Sequence, residues 1–400
     1  MKLLHVSPSM DPKHGGVCQA VRIIISGLTE LGVQNEVVSL DPADSSFIKN
    51  DPFPVNALGV ASGPWAYNAS LIPWLENNLS RFDAVIVHGL WLYYGYGVRK
   101  SLDRLNTKSP KLFVMPHGML DPYFQRASGR KIKAIRNYIY WKLIENKLVN
   151  RADGLLFTCE EECRLAREPF RPYKPKGEYV VGLGAEQPPM YTDTMREAFY
   201  NKQPELRNVP YLLFLSRVHE KKGVDLLLKA YGALATNKAQ TFLPKLVVAG
   251  PGLETTYGME MQRLAYDTLG LRGSVFFPGM VTGDVKWGAF YGCQAFILPS
   301  HQENFGIAVI EALACGKAVL ISNQVNIWRE IEKGSGGIVG DDSLEGTQLI
   351  LSRWTNFREE EKISMGKKAR DCFKTTFEKG PAAKQFLKVV GNCNEISGST

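Results

Sequence analysis

The sequence predicts an α/β protein built from two doubly wound parallel sheets. Three observations carry that expectation. The chain has 400 residues, too many for one ordinary core and enough for two or three domains at roughly 150 residues each. Short β-branched runs alternate with longer amphipathic stretches in both halves, the pattern of repeated β-α-β units. A polar stretch at 186–210 carrying Pro188, Pro189, Pro204 and Pro210 separates the halves. The apolar fraction of 44% and charged fraction of 22% are those of globular proteins and exclude disordered, collagenous and disulfide-scaffold classes.

In the first half, strands are expected at 2–6, 36–40, 84–88, 111–115, 154–159 and 179–182, with amphipathic helices at 17–31 and 131–149. The opening MKLLHVSPS has one Lys and too short an apolar core for a secretory signal, so it reads as the first strand. In the second half, strands are expected at 211–215, 245–249, 274–277, 295–298 and 318–321. Helices follow near 224–235, 256–269, 283–291, 306–315 and 326–333. Beyond residue 343 the chain reads as helical to about 392, with a frayed tail. This divides the chain into Rossmann-like domains at 1–186 and 211–375, a linker at 187–210, and a C-terminal helix within 376–400 expected to pack back on the first domain. The two domains would face one another across a cleft, with ligands at the carboxyl ends of the strands. No apolar run approaches the ~18–20 residues that cross a bilayer, and the longest is a patch at 21–25. A cytoplasmic protein is expected.

Net charge is +8, and nearly all of it lies in one window. Between 122 and 151, Arg126, Arg130, Lys131, Lys133, Arg136, Lys142, Lys147 and Arg151 face only Glu145. Ile132, Ile135, Ile139 and Leu143 recur there at helical spacing, with Tyr138, Tyr140 and Trp141 interleaved. We read the apolar stripe as facing the chain's own core. The charge stays open between simple solvation and contact with an anionic membrane or polyanionic substrate, which would make the protein peripheral on the inner membrane face. No nucleic-acid-binding motif accompanies the patch. The seven cysteines contain no CxxC pair, and Cys159 and Cys163 have no second pair at zinc-finger spacing, so reduced thiols and no metal site are expected.

Familiar phosphate and catalytic signatures fail. Gly250-Pro-Gly252 lacks the third glycine of a dinucleotide fingerprint, Gly316-Lys317 lacks the rest of a P-loop, and HExxH, GxSxG and DxD are absent. Anion handling must then come from backbone and basic side chains. SRVHEKKG, at the carboxyl end of strand 211–215, offers Arg217 and Lys222 as a clamp for a phosphate or diphosphate, or as solvated loop charges. In PSHQENFGIAVIEALACGKAVL, Glu303 precedes a helix whose free amides favour an anion, and Gly306 permits close approach to the backbone. Glu311 lies about a turn and a half into that helix, where a carboxylate can accept two ribose hydroxyls. The alternatives are a helix cap for Glu303 and a structural ion pair for Glu311.

Taken together, Glu303-x7-Glu311 enclosing NFG, preceded by Arg217, Lys222-Gly223 and VAGPG at 248–252, resembles the GT-B-fold retaining glycosyltransferases of family four, the glycosyl transferases group 1. Gly15-Gly16, PHGML at 116–120, GLGAE at 182–186 and FPGM at 277–280 agree in order, so the resemblance runs from the first strand to about residue 340. It implies a nucleotide-diphosphate-sugar donor bound mainly by the second domain, an acceptor bound by the first, and neither metal nor cofactor. Arg217 and Lys222 would hold the diphosphate, and Glu311 the ribose hydroxyls. Glu303 and the backbone at Asn304, Phe305 and Gly306 would meet the donor sugar. Gly15, Gly16 and Gly250 would let backbone approach the donor, and His117 would lie near the donor sugar. Where many relatives carry Asn-Gly-Val-Asp before the linker, this chain has Leu183-Gly184-Ala185-Glu186.

HGLWLYYGYG at 88–97 clusters Trp91, Tyr93, Tyr94 and Tyr96. The rings could stack on apolar sugar faces as an acceptor platform or pack between the domains. With the basic 126–151 stretch, they favour a lipid-linked glycan or growing polysaccharide as acceptor, as in bacterial surface-glycan synthesis. Competing expectations are a nucleotide-sugar epimerase of the same fold, a phosphorylase with a lysine-bound pyridoxal phosphate, and a catalytically inactive glycosyltransferase-like scaffold.

Overall fold

Two separate parallel sheets organise the chain. The computed structural model describes residues 1–14, 16–105, 109–126, 131–236 and 243–392. The first sheet holds β1 (Lys2–Val6), β2 (Gln34–Ser39), β3 (Val55–Ala57), β4 (Ala84–His88), β5 (Lys111–Met115), β6 (Gly154–Phe157) and β7 (Glu178–Val180), in the order β3-β2-β1-β4-β5-β6-β7. The second holds β8 (Tyr211–Leu215), β9 (Lys245–Ala249), β10 (Val275–Gly279), β11 (Ala295–Leu298), β12 (Ala318–Ser322) and β13 (Gly337–Gly340), in the order β10-β9-β8-β11-β12-β13. Every pairing is parallel. Helices cover both faces of such a sheet, which is why β4 and β11 are apolar at nearly every position and buried throughout. Each order reverses direction beside its first strand, between β1 and β4 and between β8 and β11. Chains leaving those neighbouring strand ends diverge and open a crevice there.

By contacts the chain forms two units, Met1–Gly184 with Lys379–Thr400, and Ala185–Glu378. The final helix, Lys379–Asn392, thus belongs to the first unit and packs on the helix Gly16–Glu30. A Cβ at Gly27 would stand 2.8 Å from that of Ala383, so glycine sets how closely these helices meet. Lys379 Nζ closes the contact through Glu30 at 2.8 Å and Ser26 Oγ at 3.0 Å.

Two expectations are corrected. Residues 187–210 are not a plain linker, because the helix Asp193–Lys202 occupies their middle. Thr192 caps it by accepting from the Met195 amide, and Met195 and Phe199 are buried one turn apart. That helix lies against Gly283–Gly292, where a Cβ at Gly288 would meet the Met195 carbonyl oxygen at 2.0 Å. The prolines bracket the helix rather than interrupt it.

The second correction concerns the basic amphipathic segment. Its helix Lys131–Tyr140 continues through a π-helical turn, Trp141–Glu145, into Asn146–Arg151. The apolar stripe does not face the core: Ile132 is 85% exposed, Ile135 63%, Ile139 53% and Leu143 62%. Trp141 on the opposite side is fully buried against Phe170. Arg130 lies outside the described residues.

Candidate functional site

The switch point of the second sheet brings the charged loops together. The turn after β8 ends at Lys222-Gly223, and Gly223 has φ +66°. A Cβ there would stand 1.9 Å from the Pro299 carbonyl oxygen, so only glycine lets this turn press against the end of β11. Two further bonds lock the loops, from the His301 amide to the Lys221 carbonyl at 2.9 Å and from Ser300 Oγ to the same oxygen at 2.9 Å. The result is an ion pair between buried Lys222 and Glu303. Glu303 is itself pinned, since its amide donates to the Gln324 carbonyl at 2.9 Å and its carbonyl accepts from the Asn326 amide at 2.9 Å.

Arg217 sits on the same loop, exposed, and forms no hydrogen bond or ion pair among the described residues. Its backbone position is set by Gly250, whose φ is +137°. A Cβ at Gly250 would lie 1.9 Å from the Ser216 carbonyl oxygen, and the Val218 amide donates to the Pro251 carbonyl at 2.8 Å. Gly250 therefore holds two loops together and so presents Arg217.

Gly306, at φ +70°, begins the helix Ile307–Ala314. Phe305 turns its ring into the core against Phe377, leaving its backbone to line the turn. Asn304 Oδ1 accepts from Asn326 Nδ2 at 3.3 Å. Glu311, within the helix, pairs with Lys286 Nζ at 2.6 Å. Burial pushes the Glu311 carboxyl upward, and the Lys286 charge and hydrogen bond oppose that shift. Lys286, Asn326 and the His301–Asp342 pair at 2.6 Å escape sequence reasoning because no motif marks them. The Asp342 hydrogen bond and charge raise the His301 pKa against the opposing effect of burial.

In the first unit, Gly16 has nothing within 4 Å of its missing Cβ, so open space faces it; Gly15 lies outside the described residues. His117 follows β5 in a left-handed conformation, φ +53°. The buried Glu162 carboxylate accepts from the Gly118 amide at 2.5 Å and from Thr158 Oγ1 at 2.6 Å, which anchors the turn. His117 Nε2 lies 3.0 Å from His88 Nδ1.

Of the four clustered rings, Tyr93 and Tyr94 are packed in the core. Tyr94 is 1% exposed with its hydroxyl donating to the His88 carbonyl at 2.8 Å, and Tyr93 is 5% exposed between Trp65 and Tyr67. Neither has a ring face left for a sugar. Trp91 is half-buried against Phe170 and Tyr140.

With this geometry in place, comparison with known proteins defines the class. The family described as Glycosyl transferase 4-like domain matches residues 15–180, and that described as Glycosyl transferases group 1 matches residues 195–349. The two matches fall on the two units, and the chain belongs to the GT-B-fold glycosyltransferases of group 1. A glycosyltransferase of Methanocaldococcus jannaschii described as uncharacterized is 32% identical over 153 residues, 37% of each chain. A D-inositol 3-phosphate glycosyltransferase of Nocardiopsis dassonvillei is 26% identical over 49% of this chain and 46% of its own. These matches span less than half of the relatives' length. Among solved structures, sucrose-phosphate synthase of Thermosynechococcus elongatus shares the fold with a TM-score of 0.71 at 17% identity, covering 99% of each chain. HepE of Anabaena, solved with UDP and glucose, has a TM-score of 0.70 at 17% identity over 98% of this chain and 100% of its own.

Proposed function

We propose that the protein is a retaining, metal-independent glycosyltransferase that moves a sugar from a nucleotide-diphosphate donor to a lipid-linked or growing glycan. The observation that carries this reading is the Lys222–Glu303 ion pair beside the β8–β11 switch point, with exposed Arg217 on the same loop after β8. Departure of a nucleoside diphosphate builds negative charge on its β-phosphate while the sugar becomes cation-like, and fixed positive potential at that phosphate is the effective catalyst. Arg217 offers a forked contact and has no partner to displace among the described residues. Lys222 keeps two N–H donors after serving Glu303. The amides opening the helix Ile307–Ala314 add to this potential, with Asn304, Phe305 and Gly306 contributing backbone to the donor sugar. Glu311 accepts the ribose hydroxyls, with the Lys286 charge opposing the upward push of burial on its carboxyl. Within the first unit, His117 is the side chain assigned to substrate.

Retention then needs no protein nucleophile. The acceptor oxygen bonds to the anomeric carbon on the face the phosphate leaves, and the departing phosphate oxygen takes the acceptor's proton. The exposed Ile132, Ile135, Ile139 and Leu143 among Lys131, Lys133, Arg136 and Lys142 suit the headgroup region of an anionic bilayer. That supports a lipid-linked acceptor met at the membrane surface. No helix among the described residues is long and apolar enough to cross a membrane. UDP-glucose, bound in a solved structure of HepE, is the first donor to assay. Candidate donors should release nucleoside diphosphate only when an acceptor is added. An altered sugar nucleotide formed from donor alone would replace this reading with an epimerase.

A further inference from the structure

Three of the chain's six histidines line up across the first sheet. Asn35 pairs in register with Leu3, and His5 is two residues on. His5 pairs with Ile86, and His88 is two residues on. His88 pairs with Met115, and His117 is two residues on. Because side chains alternate faces along a strand, the steps to His5 and His88 each cross one strand and return to the same face, nearer the carboxyl edge; His117 lies just past β5 and joins the row through its contact with His88. The polar groups meet at every step. Asn35 Oδ1 is 3.2 Å from His5 Nε2, His5 Nδ1 is 2.9 Å from His88 Nε2, and His88 Nδ1 is 3.0 Å from His117 Nε2. Successive rings stack with centroids 5.2 and 5.3 Å apart.

This row has a direction. Asn35 Nδ2 donates to the Val33 carbonyl at 3.0 Å, and a carbonyl can only accept, so Oδ1 must face His5. His5 Nε2 then carries the proton and its Nδ1 is a lone pair. That lone pair requires a proton on His88 Nε2, and the same logic requires one on His117 Nε2. His117 Nδ1 is left unprotonated, and it has no hydrogen bond among the described residues.

We propose that Asn35, His5 and His88 are positioning residues that lock His117 in its Nε2–H form, so that the ring offers substrate a neutral acceptor at Nδ1. The role of the acceptor rests on the glycosyltransferase reading, since a sugar hydroxyl is the donor it suits. Neutrality fits that partner, because an imidazolium would stand against a cation-like sugar. Burial agrees, holding His5 and His117 down to about 4 and His88 well below the ordinary histidine range.

Long-range proton–nitrogen NMR of the full chain with 15N-labelled histidine, at pH 7.5, reads the tautomers directly. The expected result is an unprotonated Nδ1 and protonated Nε2 for His5, His88 and His117. A protonated Nδ1, or averaged signals, at His117 overturns the proposal. In folded Asn35→Leu, the His117 signals should leave the pure Nε2–H pattern and kcat/KM for donor should fall about fivefold, the worth of one hydrogen bond; unchanged His117 signals overturn the relay. Should that variant fail to fold, the parent spectrum alone decides. A locked pattern without turnover on any donor supports the relay and removes the glycosyltransferase reading.

Discussion

The two sheets share a topology and differ in what they place at their switch points. The second sets charged groups there, Arg217 and the Lys222–Glu303 pair, with Lys286–Glu311 nearby on helices of the same unit. The first sets a row of uncharged imidazoles, His5 and His88 buried and His117 half-buried at its end. One topology thus supplies a crevice in both places, and the side chains beside it decide whether it suits a diphosphate or an uncharged sugar. The strand order positions a ligand; it does not choose one.

The sharpest break of that comparison is on the charged side. Arg217→Ala should lower donor-dependent turnover by a factor on the order of 10²–10³. Arg217 is exposed and unpaired among the described residues, so the thermal midpoint should hold within the effect of an ordinary surface substitution. Lys222→Ala should cost similar turnover and also stability, because Glu303 loses its partner. Equal melting of the two variants would contradict the buried pairing. Gly223→Ala should come next. Strain at that φ alone costs about 1–3 kcal/mol, and the added Cβ would also strike the Pro299 carbonyl, so calorimetry should find a loss of at least that size.

On the neutral side the test is acid. The His5 pKa is about 4 in the fold against 6.5 for the unfolded chain, so the unfolded state binds the proton first as pH falls below 6.5. Stability is therefore full above that value and declines toward pH 4. For His5 alone the loss between pH 7.5 and 5 should be about 2 kcal/mol. Urea midpoints should show a weaker decline over that window in His5→Gln than in the parent chain. Least disturbing to the fold is replacement of Ile132, Ile135 and Ile139 by Ser, which should leave melting nearly unchanged because all three are exposed. Co-sedimentation with anionic vesicles should be lost, and retention of vesicle binding would contradict the membrane role.

Local patterning made most of the fold legible. Buried strands such as 84–88 and 295–298 are short apolar runs between turn residues, and they occupy those spans in the structure. The edge strands β3 and β13 were not expected. They are three and four residues long and carry only two apolar side chains each, so no apolar run like that of 295–298 marks them. The helix Asp193–Lys202 was hidden by its flanking prolines, although Thr192 before Met195 and Phe199 is a readable start signal. The stripe Ile132, Ile135, Ile139 and Leu143 revealed a helix but not whether anything covers it, since periodicity shows a face and never its neighbour. Arg217, Lys222, Glu303 and Glu311 were legible because a motif carries them. Lys286 and the row Asn35–His5–His88–His117 were not, because only sheet order brings those residues together.

Thermal shift with UDP, GDP and ADP, on the parent chain and on Arg217→Ala, puts the diphosphate site to trial. A nucleotide that binds the folded state raises its melting temperature by mass action. One nucleotide should stabilise the parent strongly, and Arg217→Ala should lose most of that gain while melting normally without ligand. No stabilisation by any of the three, or an equal gain in both proteins, would contradict a donor held by its departing diphosphate at Arg217.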